Sequence, residues 1–372
     1  MTTPALQTFP PELLGELFFH CLPDDDPDRM SPQNAPLVFC TISSYWRQAA
    51  LSEHRLWDTV IFPSPQANGP SITYDQAIRF IRAGGVERWF NRTGTERMLS
   101  FGEEGPPDHK SSLITFFLPI VTKYARRLRH LSLSLVKIRH FEFIRRGFPY
   151  DLFENLESVS ICCTLEMTTA QLHAFERLNT PFHTKCPKLK HASFTLLRAH
   201  PMRFAMPWSQ LTSIQVDSHL HPLTIAQWAQ LFRECKNLRH ATLAKPKEFG
   251  TGYGLWPIVE LEHHALTSLH FWIHETVTTY WYDYCKWDFL HHPVRFPNLR
   301  HLKFDLKHGN AIASLRSLNP VTKSYLPKLE AIQITTPEDA PFHIPADVKG
   351  MVEQIGPLIE PRAPGPPLCT DD

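Results

Sequence analysis

The chain has 372 residues, of which 42% are apolar and 20% are charged, so it has enough apolar side chains to bury a sizeable core. Lysine and arginine number 38 and aspartate and glutamate 37, and this net charge of +1 disfavours a surface that neutralises nucleic acid phosphates along its whole length. The sequence has 33 prolines but only 15 glycines, which predicts many short elements and leaves few glycines for phosphate-binding loops.

No segment of the sequence predicts export or membrane insertion. The first residues show neither a basic stretch nor a long apolar stretch, and nowhere do about 18 apolar residues run together. The eight cysteines follow irregular spacings without a CxxC pair. This pattern indicates free thiols rather than a disulfide scaffold or a zinc knuckle. We therefore expect a protein of the cytoplasm and/or the nucleus, with neither membrane nor nucleic acid as a partner.

Three short helices are predicted near the N-terminus. Residues 9–22 begin with two prolines that suit a first helical turn, and apolar residues then follow at helical spacing. A second helix is expected from Leu37 to Leu51. Ser52 is expected to cap a third helix over residues 53–60.

Five short blocks in this region stand in a characteristic order. They are Pro-Pro-Glu-Leu-Leu at 10–14, Ala-Pro-Leu at 35–37, Trp46-Arg47, Leu51-Ser52 and Arg-Leu-Trp at 55–57. Together they resemble an F-box, in the variant found in fungal F-box-like proteins, over about residues 9–60. The sequence departs from that pattern at residues 43–45, where Ser-Ser-Tyr stands before the tryptophan.

The resemblance implies a partner. F-boxes bind the Skp-type adaptor of SCF cullin–RING ubiquitin ligases, and through the adaptor a cullin. The matched positions that are expected to contact the adaptor are Pro10, Pro11, Glu12, Leu13, Leu14, Leu17, Leu37, Trp46, Leu51 and Trp57. The alternative for Leu17, Trp46 and Trp57 is that they pack only inside the module.

One phrase, L-x-x-Ω-x-Ω with Ω apolar, recurs along the rest of the chain. It begins at Leu128, Leu156, Leu189, Leu211, Leu238, Leu266, Leu299 and Leu329. The mean spacing of about 29 residues and the phrase itself are typical of the strand-forming half of a leucine-rich repeat. Intervening segments such as 168–178 and 224–235 carry apolar residues at helical spacing. An earlier strand is expected at 98–101, after a helix from Tyr74 to Arg82 and a helix with a turn at 86–94.

These patterns predict an α/β protein with four parts. They are a small three-helix F-box-like domain at 7–60, a helical linker at 61–95, an open leucine-rich-repeat solenoid of alternating strands and helices at 96–346, and a Pro-rich tail at 347–372. The rival architecture is a closed β/α barrel with an N-terminal helical cap, which suggests an enzyme with candidate catalysts at Glu166, Asp217, His274 and Asp305. The leucine before each strand favours the solenoid, because barrel strands show continuous apolar runs.

The sequence shows no motif for nucleophilic catalysis, nucleotide binding or metal binding. His270 and His274 are the best placed of a group of histidines, but in a strand they lie about 13 Å apart, too far to share one ion. We therefore expect no enzyme activity, no cofactor and no metal. The expected function is substrate recognition for an SCF-type ubiquitin ligase, and the alternatives are a barrel enzyme and an F-box scaffold outside any ligase.

The substrate is expected on one face of the repeat strands. The Ω residues face the core, so the residues between and beside them share the opposite, concave face. The phrases between 240 and 305 place aromatic and charged side chains there, as interface centres do. The predicted substrate-binding residues are His240, His270, Trp272, His301, Lys303 and Asp305. The alternative for Trp272 is that residues 276–287 cover it.

Overall fold

The computed structural model describes most of the chain. The described residues are 9–22, 34–63, 72–103, 112–148, 150–163, 186–196, 201–204, 206–218, 223–244, 261–273, 294–306, 326–335, 349–350, 352–353 and 358–359. The chain divides into two compact units, Met1–Pro207 and Trp208–Asp372. The predicted helix at 168–178 lies outside the described residues.

The first unit opens with α1 (Pro11–His20), α2 (Phe39–Ile42), α3 (Ser44–Ser52) and a 3₁₀ turn at His54–Trp57. The predicted second helix is thus interrupted at Ser43. Its backbone is extended, and its hydroxyl accepts the N–H of Trp46 at 3.1 Å, so Ser43 is the N-cap of α3.

Ser52 does not cap the third helical segment, contrary to the prediction. It is the last residue of α3, and its hydroxyl donates to the carbonyl of Ala49. The side chain of Glu53 accepts the N–H of Arg55 instead and caps the 3₁₀ turn. The predicted helix over 53–60 is therefore shorter, because Asp58 leads directly into a strand.

That strand is β1 (Thr59–Phe62), which pairs in parallel with β2 (Leu99–Glu103). The sheet therefore begins within the residues that the sequence assigns to the F-box and linker. Between β1 and β2 lie α4 (Tyr74–Arg82), with the bounds that the sequence predicts, and α5 (Gly85–Phe90). Thr73 and Gln76 form a capping box at the start of α4.

The sheet of the first unit continues through β3 (Leu128–Leu135), β4 (Ser158–Cys163) and β5 (His191–Leu196). All neighbouring pairs from β1 to β5 are parallel and follow chain order. Two helices, α6 (Ile114–Tyr124) and α7 (Ile138–Gly147), lie between strands in sequence. This alternation confirms a mixed α/β arrangement with a parallel sheet.

The second unit repeats the arrangement. Its strands are β6 (Ser213–Asp217), β7 (His240–Ala244), β8 (Leu261–Glu262), β9 (Ser268–Ile273), β10 (Val294–Arg295), β11 (His301–Leu306), β12 (Ala331–Thr335) and β13 (Leu358–Ile359). The parallel sheet runs β6-β7-β9-β11-β12-β13, and β8 pairs with β10 in a small second sheet. The helix α8 (Ile225–Glu234) begins with a capping box of Thr224 and Gln227, where the sequence predicts a helix.

The β13 strand lies inside the predicted Pro-rich tail. Leu358 and Ile359 pair with Ile332 and Gln333 of β12, so this part of the tail joins the sheet. The reason is that an apolar, β-prone pair meets the unpaired side of β12.

The leucine that opens each phrase lies in the core. Its side chain is 0% exposed at Leu128, Leu156, Leu189, Leu211, Leu238, Leu266 and Leu299, and half-buried at Leu329. The same depth at seven of the eight phrase positions confirms that the phrase is a structural repeat.

The strand register separates stacked repeats from a barrel. From β6 to β12, residues at one phrase position pair without stagger, as in Ser213, His240, Ser268, His301 and Ala331. The β3, β4 and β5 strands are also unstaggered, while β2 and β3 shift once between Leu99 and Ser100. Closing an eight-stranded barrel requires about one residue of stagger per strand pair. Within each unit, the register is therefore that of stacked repeats.

Asparagines tie successive turns together. Asn155, Asn237 and Asn298 each precede a phrase leucine, and each side chain donates to a carbonyl of the preceding turn at 2.6–2.7 Å. Lys188 and Lys328 in the following turns donate to Asn155 and Asn298. The sequence marks these asparagines as turn residues, but their bonds between repeats emerge from the structure.

Among the described residues, no helix combines the length and the apolar character needed to cross a bilayer.

Candidate functional site

The first candidate surface is the helical module of residues 9–57. In α1, Leu14 and Phe18 are buried, whereas Leu13 and Leu17 are 52% and 43% exposed. Leu13 and Leu17 lie one turn apart, so they form a stripe beside the buried face of the helix. Pro10 is the N-cap residue and Pro11 occupies the first turn, where no N–H partner is required.

An aromatic cluster holds the module together. The rings of Phe18 and Phe39 stack at 4.2 Å between centroids, and Trp46 lies 5.0 Å from Phe18. The hydroxyl of Tyr45 donates to the carbonyl of Phe9. These contacts fix α1 against α2 and α3, so the exposed stripe on α1 has a rigid support.

A charged clamp fastens the other side of α1. Arg55 pairs with Glu16 and Glu53, each at 2.8 Å, and its guanidinium lies 4.6 Å from the ring of Phe19. Hydrogen bonding to Arg55 holds the pKa of both carboxyl groups below the usual value. Gly15 permits the close approach, because a Cβ there would lie 2.7 Å from Oε2 of Glu53.

Trp57 links the module to the helices that follow. Its indole N–H donates to the carbonyl of Ala50 at 2.9 Å, and its ring contacts Trp89 of α5 at 4.8 Å. Arg92 lies 4.5 Å above the same ring. Because Trp57 is 0% exposed, it fastens the module to α5 from within.

The ten predicted adaptor residues therefore differ in accessibility. Pro10, Pro11, Glu12, Leu13, Leu17 and Leu51 are exposed, and Leu37 and Trp46 are partly exposed. Leu14 and Trp57 are fully buried, so for Trp57 the structure is that of the alternative in which it packs inside the module, and the adaptor contacts of the exposed residues stay a prediction. Leu14 and Trp57 lie beneath the surface that the others form.

The structure adds exposed apolar residues that the sequence does not single out. Seven large apolar side chains are exposed among the described residues, and six of them belong to this module: Phe9, Leu13, Leu17, Phe19, Ile42 and Leu51. Their concentration in one small module is typical of a protein-binding surface, whereas scattered exposed residues need no explanation.

The second candidate surface, which we call the polar face, consists of alternate residues on β6, β7, β9, β11 and β12. The register places Thr242, His270, Lys303 and Gln333 in one row, and Ala244, Trp272, Asp305 and Thr335 in the next. His240 and His301 flank Ser268 in the row before. All six predicted substrate-binding residues thus lie on one face of three neighbouring strands.

The opposite side of these strands is core. Leu243, Leu269, Phe271, Leu302 and Phe304 are at most 4% exposed. Trp228 of α8 stacks on Phe271 at 5.3 Å, which places α8 on the core side of the sheet. His240 and His301 on the polar face are exposed, and His270, Trp272, Lys303 and Asp305 are partly exposed.

A cluster of polar contacts organises the centre of this face. The imidazole of His270 lies 3.8 Å from Asp305 and its ring centroid lies 6.0 Å from that of Trp272. The hydroxyl of Thr335 donates to Asp305 at 3.1 Å. Asp305 therefore has a hydrogen-bond donor in Thr335 and an imidazole close by, both on neighbouring strands of the same face. The segment 276–287, the alternative cover for Trp272, lies outside the described residues.

The candidate catalysts of the barrel alternative do not come together. Asp217 and Asp305 are partly buried on the polar face, with two strands, β7 and β9, between them. Glu166 and His274 lie outside the described residues. Within the described part of the chain, no group of three or more histidine, cysteine, aspartate or glutamate side chains could hold a metal ion.

No protein-family model and no curated protein sequence matches this chain. Among solved structures, the chain is similar to the leucine-rich repeat-containing protein LegL7 of Legionella pneumophila, with 9% identity and a TM-score of 0.35 over 80% of this chain and 97% of the other. It is also similar to the Rad7 and Elc1 complex of yeast, with 11% identity and a TM-score of 0.29 over 73% of this chain and 87% of the other. At these scores, neither similarity carries an argument about function.

Proposed function

We propose that the chain is the substrate-recognition subunit of an SCF-type cullin–RING ubiquitin ligase in the cytoplasm and/or the nucleus. In this proposal, the N-terminal module is an F-box that binds the Skp-type adaptor, and through it a cullin. The repeat region is an open leucine-rich-repeat solenoid whose polar face binds the substrate protein. The chain itself makes and breaks no bonds.

The observation that carries the proposal is the exposed apolar surface of a module whose sequence resembles an F-box. Full burial of a leucine is worth about 1.5–3 kcal/mol relative to full exposure. Leu13 and Leu17 are each about half exposed, so covering both contributes about 2 kcal/mol to adaptor binding. This free energy favours binding of a partner that covers the exposed leucines of α1.

The proposed mechanism is geometric. The adaptor and the substrate occupy separate surfaces, so both can bind at once. Holding the substrate within one complex raises its effective concentration near the ubiquitin-charged enzyme of the ligase.

A co-expression experiment tests both surfaces. The full chain is co-expressed with a Skp-type adaptor and a cullin, and its cross-linked partners are captured. The partners of the wild-type chain are then compared with those of the Lys303→Glu variant. We expect Lys303→Glu to lose substrate partners while it retains adaptor and cullin. The matched control is Lys328→Glu, which makes the same charge change at an exposed lysine of the turn before β12.

The outcome also separates the alternatives. If Lys303→Glu keeps its partners and Lys328→Glu loses them, the polar face is not the substrate site. If the wild-type chain binds the adaptor but never brings down the cullin, the chain is a scaffold outside the ligase.

A further inference from the structure

The turns that lead into β2, β3, β4 and β5 carry an excess of positive charge. We call residues 94–97, 123–129, 154–157 and 186–190 the basic edge. It holds seven lysines and arginines and three glutamates, whereas the whole chain has a net charge of +1. The basic residues are Arg97, Lys123, Arg126, Arg127, Arg129, Lys188 and Lys190.

Hydrogen bonds join these turns into one continuous row. Nε of Arg127 donates to the carbonyl of Arg97 at 3.0 Å. Asn155 donates to the carbonyl of Arg126 at 2.7 Å, and Nζ of Lys188 donates to Oδ1 of Asn155 at 2.7 Å. Because neighbouring strands lie about 4.8 Å apart, the turns before β2 and β3 are adjacent, and the turn before β5 lies two strand spacings beyond the turn before β3.

Some of these basic side chains form contacts within the protein, whereas others are exposed and form no ion pair among the described residues. Arg127 is partly buried and bonds to Thr93 at 2.7 Å, and Arg129 pairs with Glu157 at 2.8 Å. Arg97 and Arg126 are exposed, and neither guanidinium lies within 4.0 Å of a carboxylate in the described part of the chain, although the charge of Arg97 contributes to the lowered pKa of Glu53. Lys188 is exposed and bonds to a neutral amide. Arg97 and Arg126 on two successive turns, and Lys188 two turns further on, are therefore available to an anionic partner.

We propose that the basic edge binds an acidic segment of a partner protein, a run of aspartate and glutamate, through Arg97, Arg126 and Lys188. The basic edge belongs to the first unit and the polar face to the second, and the proposal does not depend on the ligase function. Charge complementarity of this kind chiefly sets association rate and specificity.

Two features favour an acidic polypeptide over nucleic acid. Glu154 and Glu157 interrupt the row, so it offers no continuous run of cations to a duplex backbone that carries a charge about every 1.7 Å, whereas a short acidic segment needs cations at only a few positions. Single-stranded nucleic acid is usually bound by stacking on aromatic side chains. Among the described residues of the basic edge, the aromatic side chain is Tyr124, which is 6% exposed.

The test is fluorescence anisotropy with the full-length chain and labelled decaglutamate, at low and at physiological salt. We expect salt-sensitive binding that the variant Arg97→Glu/Arg126→Glu weakens about tenfold, with Lys188→Glu weakening it further. The matched control is Arg79→Glu/Arg139→Glu, which makes the same charge change at exposed arginines of α4 and α7. Thermal melting of each variant establishes that it is folded.

Three results would overturn the proposal. One is the absence of decaglutamate binding at low salt. Another is an equal loss of binding in the Arg79→Glu/Arg139→Glu control, which would show a response to net charge alone. The third is tighter binding of a labelled DNA duplex or single strand of equal charge, which would assign the basic edge to nucleic acid.

Discussion

Replacing Glu103 with glutamine should stabilise the protein at neutral and alkaline pH. Glu103 is 2% exposed at the end of β2, beside a small cavity lined by Phe62, Tyr74 and Leu113. Its carboxylate accepts the N–H of Leu113 at 3.2 Å and a hydrogen bond from the side chain of Ser112, and among the described residues no basic side chain neutralises it. Burial raises the pKa of this carboxyl from 4.5 to about 7.

The direction in which stability changes with pH follows from the raised pKa of Glu103. The folded protein holds the proton more tightly than the unfolded chain does, so the stabilisation is complete below pH 4.5 and is lost as the pH rises through about 7. Each pH unit is worth about 1.4 kcal/mol, so the full difference is about 3 kcal/mol. Glutamine remains neutral and keeps an acceptor for Leu113, so it avoids this loss.

The assay is urea unfolding of both proteins between pH 4.5 and pH 8.5. We expect equal free energies of unfolding near pH 4.5, and a variant that is more stable by up to about 3 kcal/mol above pH 8. His140, whose pKa burial lowers to about 4, titrates in both proteins and cancels in the difference. A difference that does not change with pH, or a variant that is less stable at pH 8.5, would refute the reasoning.

Two further predictions test the repeat architecture. Leu238→Ala should lower the free energy of unfolding by about 2–5 kcal/mol, because Leu238 is 0% exposed. The same change at half-buried Leu329 should lower it by less, and equal losses would contradict the burial of these two leucines. Gly102→Ala should cost about 1–3 kcal/mol, because the new Cβ would lie 2.3 Å from the backbone oxygen of Ser132. Gly350→Ala should be nearly neutral in the same thermal melts, because no atom of the described residues would lie within 4 Å of its Cβ. Destabilisation of both glycine variants to the same extent would contradict the close approach of β2 and β3.

The repeat could be predicted from the sequence because its signal is strong and local. A leucine followed by two apolar residues in alternation recurs eight times, and every recurrence leads into a strand. The alternation also fixes which side chains share the polar face, because a one-residue slip would bury all of them. The sequence also predicts α4 with its observed bounds, and the structure adds the capping box of Thr73 and Gln76 at its start.

The missed features have identifiable physical causes. In α1, residues 13, 14, 17 and 18 are all apolar, so helical periodicity alone does not predict which of them are buried. The packing of Phe18 on Phe39 and Trp46 places Leu14 and Phe18 on the buried side of the helix. The β1 strand has only four residues, and its partner β2 lies far along the chain. No local sequence pattern therefore predicts β1. The bonds of Asn155, Asn237 and Asn298 likewise depend on the neighbouring turn.

Direct titration of the purified full-length chain with a purified Skp-type adaptor tests the central claim most directly. The proposal predicts saturable one-to-one binding that Leu13→Asp/Leu17→Asp abolishes, because two carboxylates would then be buried without partners in an apolar interface. Met98→Asp, at a side chain that is 41% exposed outside the module, should bind as the wild type does. Absence of wild-type binding, or undiminished binding by the folded Leu13→Asp/Leu17→Asp variant, would contradict the assignment of residues 9–57 as an adaptor-binding F-box.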